Sequence, residues 1–266
     1  MKYGAIFWGC LIILVGAALM VGNITGLNVW PYLWPAGLIF LGAWFLVGSQ
    51  MRPKPAETEQ VSIPLQGASL VRLKITHGAG RLMIRGGAGP NDVAAGSFSG
   101  GLEHNETRTG DTLNVRMSVP SGMWMNFGGP WIFGPWNPIL WDVRLNESVP
   151  MKLELETGAG ESQLDFSGLK ADEISLKTGA SSSEMTLPAR AGKTRVKVAS
   201  GAAAVVLRVP DGVAARIFVE SGLAGISINQ NRFPRSGAGY QSPDYERAEN
   251  SADIHIETGV GSVEVR

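Results

Sequence analysis

The groups best able to do chemistry in this sequence are few and scattered. Its three histidines, His77, His104 and His255, lie far apart, and the single cysteine, Cys10, sits inside an apolar run. That pattern excludes a disulfide scaffold and a cysteine-rich metal site. His77 takes a place that other repeats give to Thr or Ser, and His255 points away from the core by the strand period. Three separate surface side chains are expected, with a shared metal site as the alternative. Gly192-Lys193-Thr194 imitates the end of a phosphate-binding loop. The glycine required five residues earlier is Leu187, and a strand follows instead of a helix. The Gly-Ala-Gly phrases at 78–80 and 158–160 lack the strand-to-helix setting of a dinucleotide fingerprint. No nucleophile sits in an elbow or triad, and no paired carboxylates recur at corresponding repeat positions. No catalytic residue, cofactor or metal ligand emerges, so a non-enzymatic protein is expected.

Aromatic clusters speak for contact instead. Pro120–Trp141 holds Trp124, Phe127, Trp131, Phe133, Trp136 and Trp141 among Gly and Pro. Rings at this density anchor protein interfaces or rest at membrane surfaces. Folding back to cap an open end of a repeat stack is the other reading. A second candidate contact loop, Asn229–Ala252, interleaves Arg232, Phe233, Arg235, Tyr240 and Tyr245 with acids. Insertions in repeat proteins often lie on the binding face, although a loop that only pads its coil has the same signature.

The elements that must position these residues follow from one recurring phrase. It ends at Gly78, Gly158, Gly179, Gly201, Gly222 and Gly259. Five residues before each glycine stands Leu73, Leu153, Ile174, Val196, Ile217 or Ile254, and three before stands Ile75, Leu155, Leu176, Val198, Val219 or Ile256. Six residues after comes Ile84, Leu164, Met185, Leu207, Ile228 or Val265. Apolar residues two apart, punctuated by glycine, mark half-buried strands. From Gly158 to Gly222 the glycines are spaced by 21, 22 and 21 residues, which signals a repeat architecture. Each unit supplies a strand on either side of its glycine and buries its apolar face only against its neighbours. A β-solenoid with coils of about 21 residues is therefore expected, with a two-sheet β-sandwich as the alternative. Glycine at the shared position suits a positive φ or a neighbour too close for a Cβ. The final segment, Gly261–Arg266, reads as a strand with a free side guarded by Glu264 and Arg266.

Ahead of the repeats the composition changes. Lys2 is the one charge in the first 50 residues. The uncharged runs Gly4–Gly22 and Val29–Gly48 are each about the length of a bilayer-crossing helix. They predict a transmembrane helical hairpin over residues 1–49, then a Pro-containing linker at 50–62 and a repeat-built β domain at 63–266 with insertions at 120–141 and 229–252. Lys2, Arg52 and Lys54 flank the hairpin, so the positive-inside rule places both ends, and the β domain, in the cytoplasm. The remainder carries nearly balanced charge, which argues against a nucleic-acid partner.

Two patterns carry a family resemblance. The stretch Gly26–Gly42, headed by Trp30-Pro31-Tyr32-Leu33-Trp34-Pro35, resembles the two-helix membrane region of LiaI/LiaF-type proteins. Leu155-Glu156-Thr157-Gly158-Ala159-Gly160 and Ile256-Glu257-Thr258-Gly259-Val260-Gly261 resemble the toast-rack β-domain that accompanies it. The resemblance implies a multi-pass bacterial inner-membrane protein of the cell-envelope stress response, in some members an inhibitor of a histidine kinase, with no catalytic residues. The expectation is a membrane-anchored regulatory or sensing protein acting by contact with a membrane or signalling protein. The alternative is a structural or adhesion module of the envelope, with homo-oligomers open to it.

Overall fold

The computed structural model describes residues 58–120 and 139–266, together with scattered helical positions between residues 9 and 39. All strands belong to one unit, Ala56–Pro120 with Pro138–Arg266. In chain order they are β1 (Thr58–Pro64), β2 (Leu70–Gly86), β3 (Asp92–Ser99), β4 (Glu103–Thr109), β5 (Thr112–Ser118), β6 (Ile139–Leu145), β7 (Met151–Asp165), β8 (Ala171–Thr186), β9 (Lys193–Arg208), β10 (Ala214–Ile228), β11 (Arg235–Ser236), β12 (Gly239–Gln241) and β13 (Ser251–Val265). The six repeat glycines fall in β2, β7, β8, β9, β10 and β13, which pair in parallel in the order β2-β7-β8-β9-β13-β10.

These six strands cannot be straight. β7 has 15 residues, and a straight strand of that length would run about 50 Å. Yet residues 166–170 alone return the chain from the end of β7 to the start of β8, beside the start of β7. So short a connection spans at most about 20 Å. Each long strand must therefore fold back on itself at its glycine, giving a first arm, a corner and a second arm. The burial pattern agrees. Buried residues on the first arm stand five and three before the glycine, those on the second stand four and six after it, and the odd interval between the sets shifts the buried side at the corner. Both arms then face one core.

Of the eighteen apolar repeat positions, sixteen are buried, and the two exceptions, Val219 and Ile228, are both on β10. Turn residues Phe166, Leu169, Leu187 and Val209 close the core from the connections. Each fully buried aliphatic side chain contributes about 1.5–3 kcal/mol. At the corners the glycines stack. A Cβ on Gly158 would lie 2.5 Å from the Gly78 carbonyl oxygen, and one on Gly179 2.6 Å from that of Gly158. Close approach, not a positive φ, is what the shared glycine serves. Beside it, the hydroxyls form a ladder, with Thr157 donating to Thr178 at 3.0 Å and Ser200 to Thr258 at 2.9 Å.

At the β2 end the coil opens into two branches. The first arm of β2 pairs in parallel with β5, which carries β4; the second arm pairs with β6, which continues antiparallel to β3 and β1.

Two expectations need correction. The chain's last strand is not a free edge: β13 lies between β9 and β10, paired in parallel with both. Repeat spacing reports which strands are equivalent but not their spatial order, and residues 229–250 give the chain enough length to return into the slot. The second correction concerns the transmembrane hairpin over residues 1–49. Among the described residues the helical positions lie between 9 and 24 and between 34 and 39, and no helix is long and apolar enough to cross a membrane. A crossing needs about 20 residues in one unbroken helix. The absence of charge measures apolarity and not helix length, and glycines such as Gly9, Gly16, Gly22 and Gly37 each cost about 1 kcal/mol of helix propensity relative to alanine. The multi-pass inner-membrane location, with its cytoplasmic side, rested on that hairpin and is not supported.

Candidate interaction surface

Because inward and outward residues alternate, the first arms present a flat outer face whose side chains line up in columns across the strands. In spatial order, one column reads Arg72, Lys152, Glu173, Arg195, Asp253, Arg216; the next reads Lys74, Glu154, Ser175, Lys197, His255, Phe218. Opposite charges on adjacent strands pair along these columns, the cross-strand contact that sheets favour. Lys74 Nζ lies 2.9 Å from Glu156 and 3.2 Å from Glu154, and Lys177 reaches the same two carboxylates at 3.5 and 3.3 Å. The hydrogen bond from Lys74 holds the Glu156 carboxyl below its usual range, and the same bond raises the Lys74 ammonium. Lys152 sits 3.0 Å from Glu173 and lowers its pKa. At the far end Arg216 meets Asp253 at 3.1 Å, and its guanidinium lies 4.9 Å over the Tyr245 ring. Pairs this exposed contribute little to stability, about 0–1 kcal/mol each.

Strand β9 interrupts this pairing. Lys193, Arg195 and Lys197 project outward along it at every second residue, all exposed, and among the described residues none of them is in an ion pair. Lys193 and Arg195 line a groove of about 440 Å³ whose other charged walls are Lys152 and Arg216 and the acids Asp172, Glu173, Glu246 and Asp253, with Tyr245 at its side. After Lys152, Arg195 and Lys197 also lower the Glu173 pKa through space, but no contact pair fixes them, so their exposed ends remain open to a further carboxylate.

The residues singled out in the sequence are distributed unevenly. Trp124, Phe127, Trp131, Phe133 and Trp136 lie outside the described residues. Trp141 is fully buried on β6, edge-on to Phe98 at 5.1 Å and to His77 at 5.3 Å. It belongs to the core. In the second loop, Phe233 is fully buried, and the Arg232 guanidinium donates to the carbonyls of Val209, Pro210 and Val213. Those two residues fasten the loop to the end of the stack. Tyr240 pairs with Ile217 through β12, Arg235 is exposed on β11, and Tyr245 lines the groove. The loop thus brings one candidate, Tyr245, to the charged face. The cations of β9 were visible in the sequence as an alternation of Lys and Arg with Val, but nothing there showed that their neighbours would leave them unpaired.

His77 departs from the surface reading. It is 3 % exposed, burial lowers its pKa to about 4, and a hydrogen bond to the Ile139 backbone offsets part of that shift. The same position is buried at Thr178 and Thr258, half-buried at Thr157 and Ser200 and exposed at Ser221, so the corner admits an inward side chain there. His255 does point outward, stacked on Phe218 at 5.1 Å. Among the described residues no group of three His, Cys, Asp or Glu side chains is placed to hold a metal ion.

The family described as the N-terminal domain of toast_rack, DUF2154, matches residues 52–208. No curated protein matches the sequence. Among solved structures, a candidate cell adhesion protein from Clostridium sporogenes is similar in fold. Its TM-score is 0.69 and its identity 22 %, and the match covers 80 % of this chain and 99 % of that one. A candidate adhesin from Bacteroides fragilis matches at TM-score 0.26 and 6 % identity, covering 79 % of this chain and 96 % of that one, which is too distant to carry an argument.

Proposed function

The chain belongs to the toast-rack N-terminal domain family, and from that premise we propose that it is a non-enzymatic recognition module that binds an acidic protein surface through the outer face of its first arms. The observation that carries this reading is the unpaired stripe Lys193, Arg195, Lys197 beside a groove. Lys74, Lys152, Lys177 and Arg216 on the same face are each held by a carboxylate, and its charged side chains do not converge on a reacting point, which favours binding over catalysis. A rigid stack of parallel strands suits such work, since it holds its cations at fixed spacing and loses little entropy on binding. A scaffolding or adhesive role follows directly, and it agrees with the description of the Clostridium sporogenes protein as a candidate in cell adhesion. Regulation of a signalling protein, including restraint of a histidine kinase, would use the same face and differs only in the partner.

The test is a photo-crosslinking residue at Ser175, next to Lys197, introduced into the full chain in its native cells. A discrete adduct is expected, and Arg195→Glu with Lys197→Glu should abolish it without lowering the melting temperature. An adduct that survives the double charge reversal, or no adduct at all, would refute the reading. Identification of the crosslinked protein separates the adhesive role from the regulatory one.

A further inference from the structure

The stack ends at β10, and its two arms end differently. The first arm is covered: β12 pairs with Arg216 and Ile217, Ser242 exchanges hydrogen bonds with Ala215, and Phe233 is buried. Along the second arm, among the described residues, no strand pairs with the outer side of Leu223–Ile228. Among the described residues nothing bonds to its backbone donors and acceptors on that side. Ile226 is 43 % exposed, whereas the equivalent residues of the other rungs, Leu82, Ser162, Ser183, Val205 and Val263, are each at most 3 % exposed. An inward-facing row of core residues therefore continues to the end of the stack and stops uncovered. Leu223 and Val260, paired at the neighbouring corner, belong to an outward column, and they are exposed as Ala79, Ala159, Ala180 and Ala202 are at the same position.

Sheet edges are ordinarily guarded against pairing by charge, proline or a covering segment. The other free edges here follow that rule: β1 carries Glu59 and Pro64, and β4 carries Glu103, His104, Glu106 and Arg108. The second arm of β10 does not. Ser221–Asn231 contains no charged residue and no proline. A charged partner gains no ion pair along this edge, while a neutral one meets no repulsion.

We propose that Leu223–Ile228 is an interface at which a second copy of this chain pairs, antiparallel and edge to edge. The segment complements itself. With Ile226 opposite Ile226 of the second copy, Ala224 stands opposite Ile228 on both sides of the two-fold axis. All three are inward-facing, so the two cores join across the interface and small residues meet large ones. The open backbone groups of both copies are satisfied together, and the arrangement closes at two copies. This interface is separate from the charged face, so either reading can fail without the other.

The experiment uses the full chain with Cys10→Ser, so that an introduced thiol is the sole one. Ile226→Cys should give a covalent dimer with a short bismaleimide crosslinker, because paired residues on adjacent antiparallel strands hold their Cβ atoms about 5 Å apart. Glu59→Cys on the β1 edge should not. Separately, Leu223→Lys with Ser227→Lys places like charges across the two-fold axis on exposed positions. Sedimentation equilibrium should show dimerisation weakened at least about tenfold, with circular dichroism and melting unchanged. A monomeric parent chain at tens of micromolar, a dimer that survives both lysines, or equal crosslinking from position 59 would overturn the proposal. A monomeric parent whose Ile226→Cys variant crosslinks to a different protein in cells would assign the edge to that partner and equally refute self-pairing.

Discussion

Replacing single corner glycines by alanine tests the stacked-coil architecture at its tightest point. A Cβ on Gly179 would meet the Gly158 carbonyl oxygen at 2.6 Å, whereas one on Gly201 would meet the Gly179 oxygen at 3.2 Å. Neither glycine has a positive φ, so backbone strain drops out of the comparison and only crowding remains. At Gly179 the clash is with backbone on a strand held by neighbours on both sides, β7 and β9. Relief requires sliding one rung by about half an ångström against its ladder, and overpacking of this kind costs about 1–3 kcal/mol. At Gly201 a shift of a few tenths of an ångström suffices. At both positions alanine also reduces the freedom of the unfolded chain, worth about 0.4–1 kcal/mol in its favour. Gly179→Ala should therefore destabilise clearly, while Gly201→Ala stays within about 1 kcal/mol of the parent. Urea unfolding of the full chain, followed by circular dichroism, measures both, and each kcal/mol should move the melting temperature by about 2–4 °C. Equal losses at the two positions, or a neutral Gly179→Ala, would refute the stacking argument.

Three further outcomes follow from the packing. The folded pKa of His77, about 4, lies below the ordinary value of 6.5, so the fold holds the ring neutral. Its contribution is complete above pH 6.5 and is lost as the pH falls toward 4, up to about 3 kcal/mol. The depressed carboxylates Glu156 and Glu173 act only below the usual carboxylate range, so a stability slope between pH 6.5 and 5 that vanishes in His77→Thr identifies the histidine; no difference between the two proteins would contradict its burial. Leu176→Ala, in a fully buried position between two rungs, should cost about 2–5 kcal/mol in the same unfolding assay. Deleting Ser251–Arg266 removes Ile254, Ile256, Val263 and Val265, all buried, and separates β9 from β10; an unchanged melting profile would contradict the intercalated position of β13.

The rungs were legible because every device that builds them is local. A strand that buries alternate residues on either side of a glycine writes its period into the sequence, and Leu153, Leu155 and Leu164 could be placed without any long-range information. Spatial order is a different matter. β10 follows β9 at almost the same glycine spacing as β9 follows β8, yet β13 occupies the place between them. Parallel pairing along equivalent rungs is interchangeable in sequence terms, and the loop at 229–250, fastened through Arg232 and Phe233, only gives the chain the length to return between β9 and β10. His77 was misread by residue type, although the strand period that buries Leu73 and Ile75 carries on to it and indicated an inward side chain. Trp141 was grouped with the aromatics before it, while the alternation Ile139, Trp141, Val143, Leu145 marks a core strand. The unpaired state of the β9 cations was not legible, since it depends on which strands stand beside β9.

The two surfaces inferred here rest on different physics and lie on different arms. The β9 stripe works through exposed charge, and its attraction for an acidic partner is screened over about 8 Å at physiological ionic strength. The β10 edge works through backbone hydrogen bonds and apolar burial, which salt leaves intact or strengthens. The intercalation of β13 links them. By taking the slot beside β9, the C-terminal strand leaves an uncharged internal segment at the end of the stack, and residues 229–250 cover only its first arm. The same loop sends Tyr245 to the groove on the charged face. One insertion thus closes the end of the first arms, completes the charged face and leaves the second arm open. A dimer joined at that open edge would carry two charged faces, so a weak, salt-sensitive contact with an acidic surface would gain from bivalence when both faces can reach that surface together.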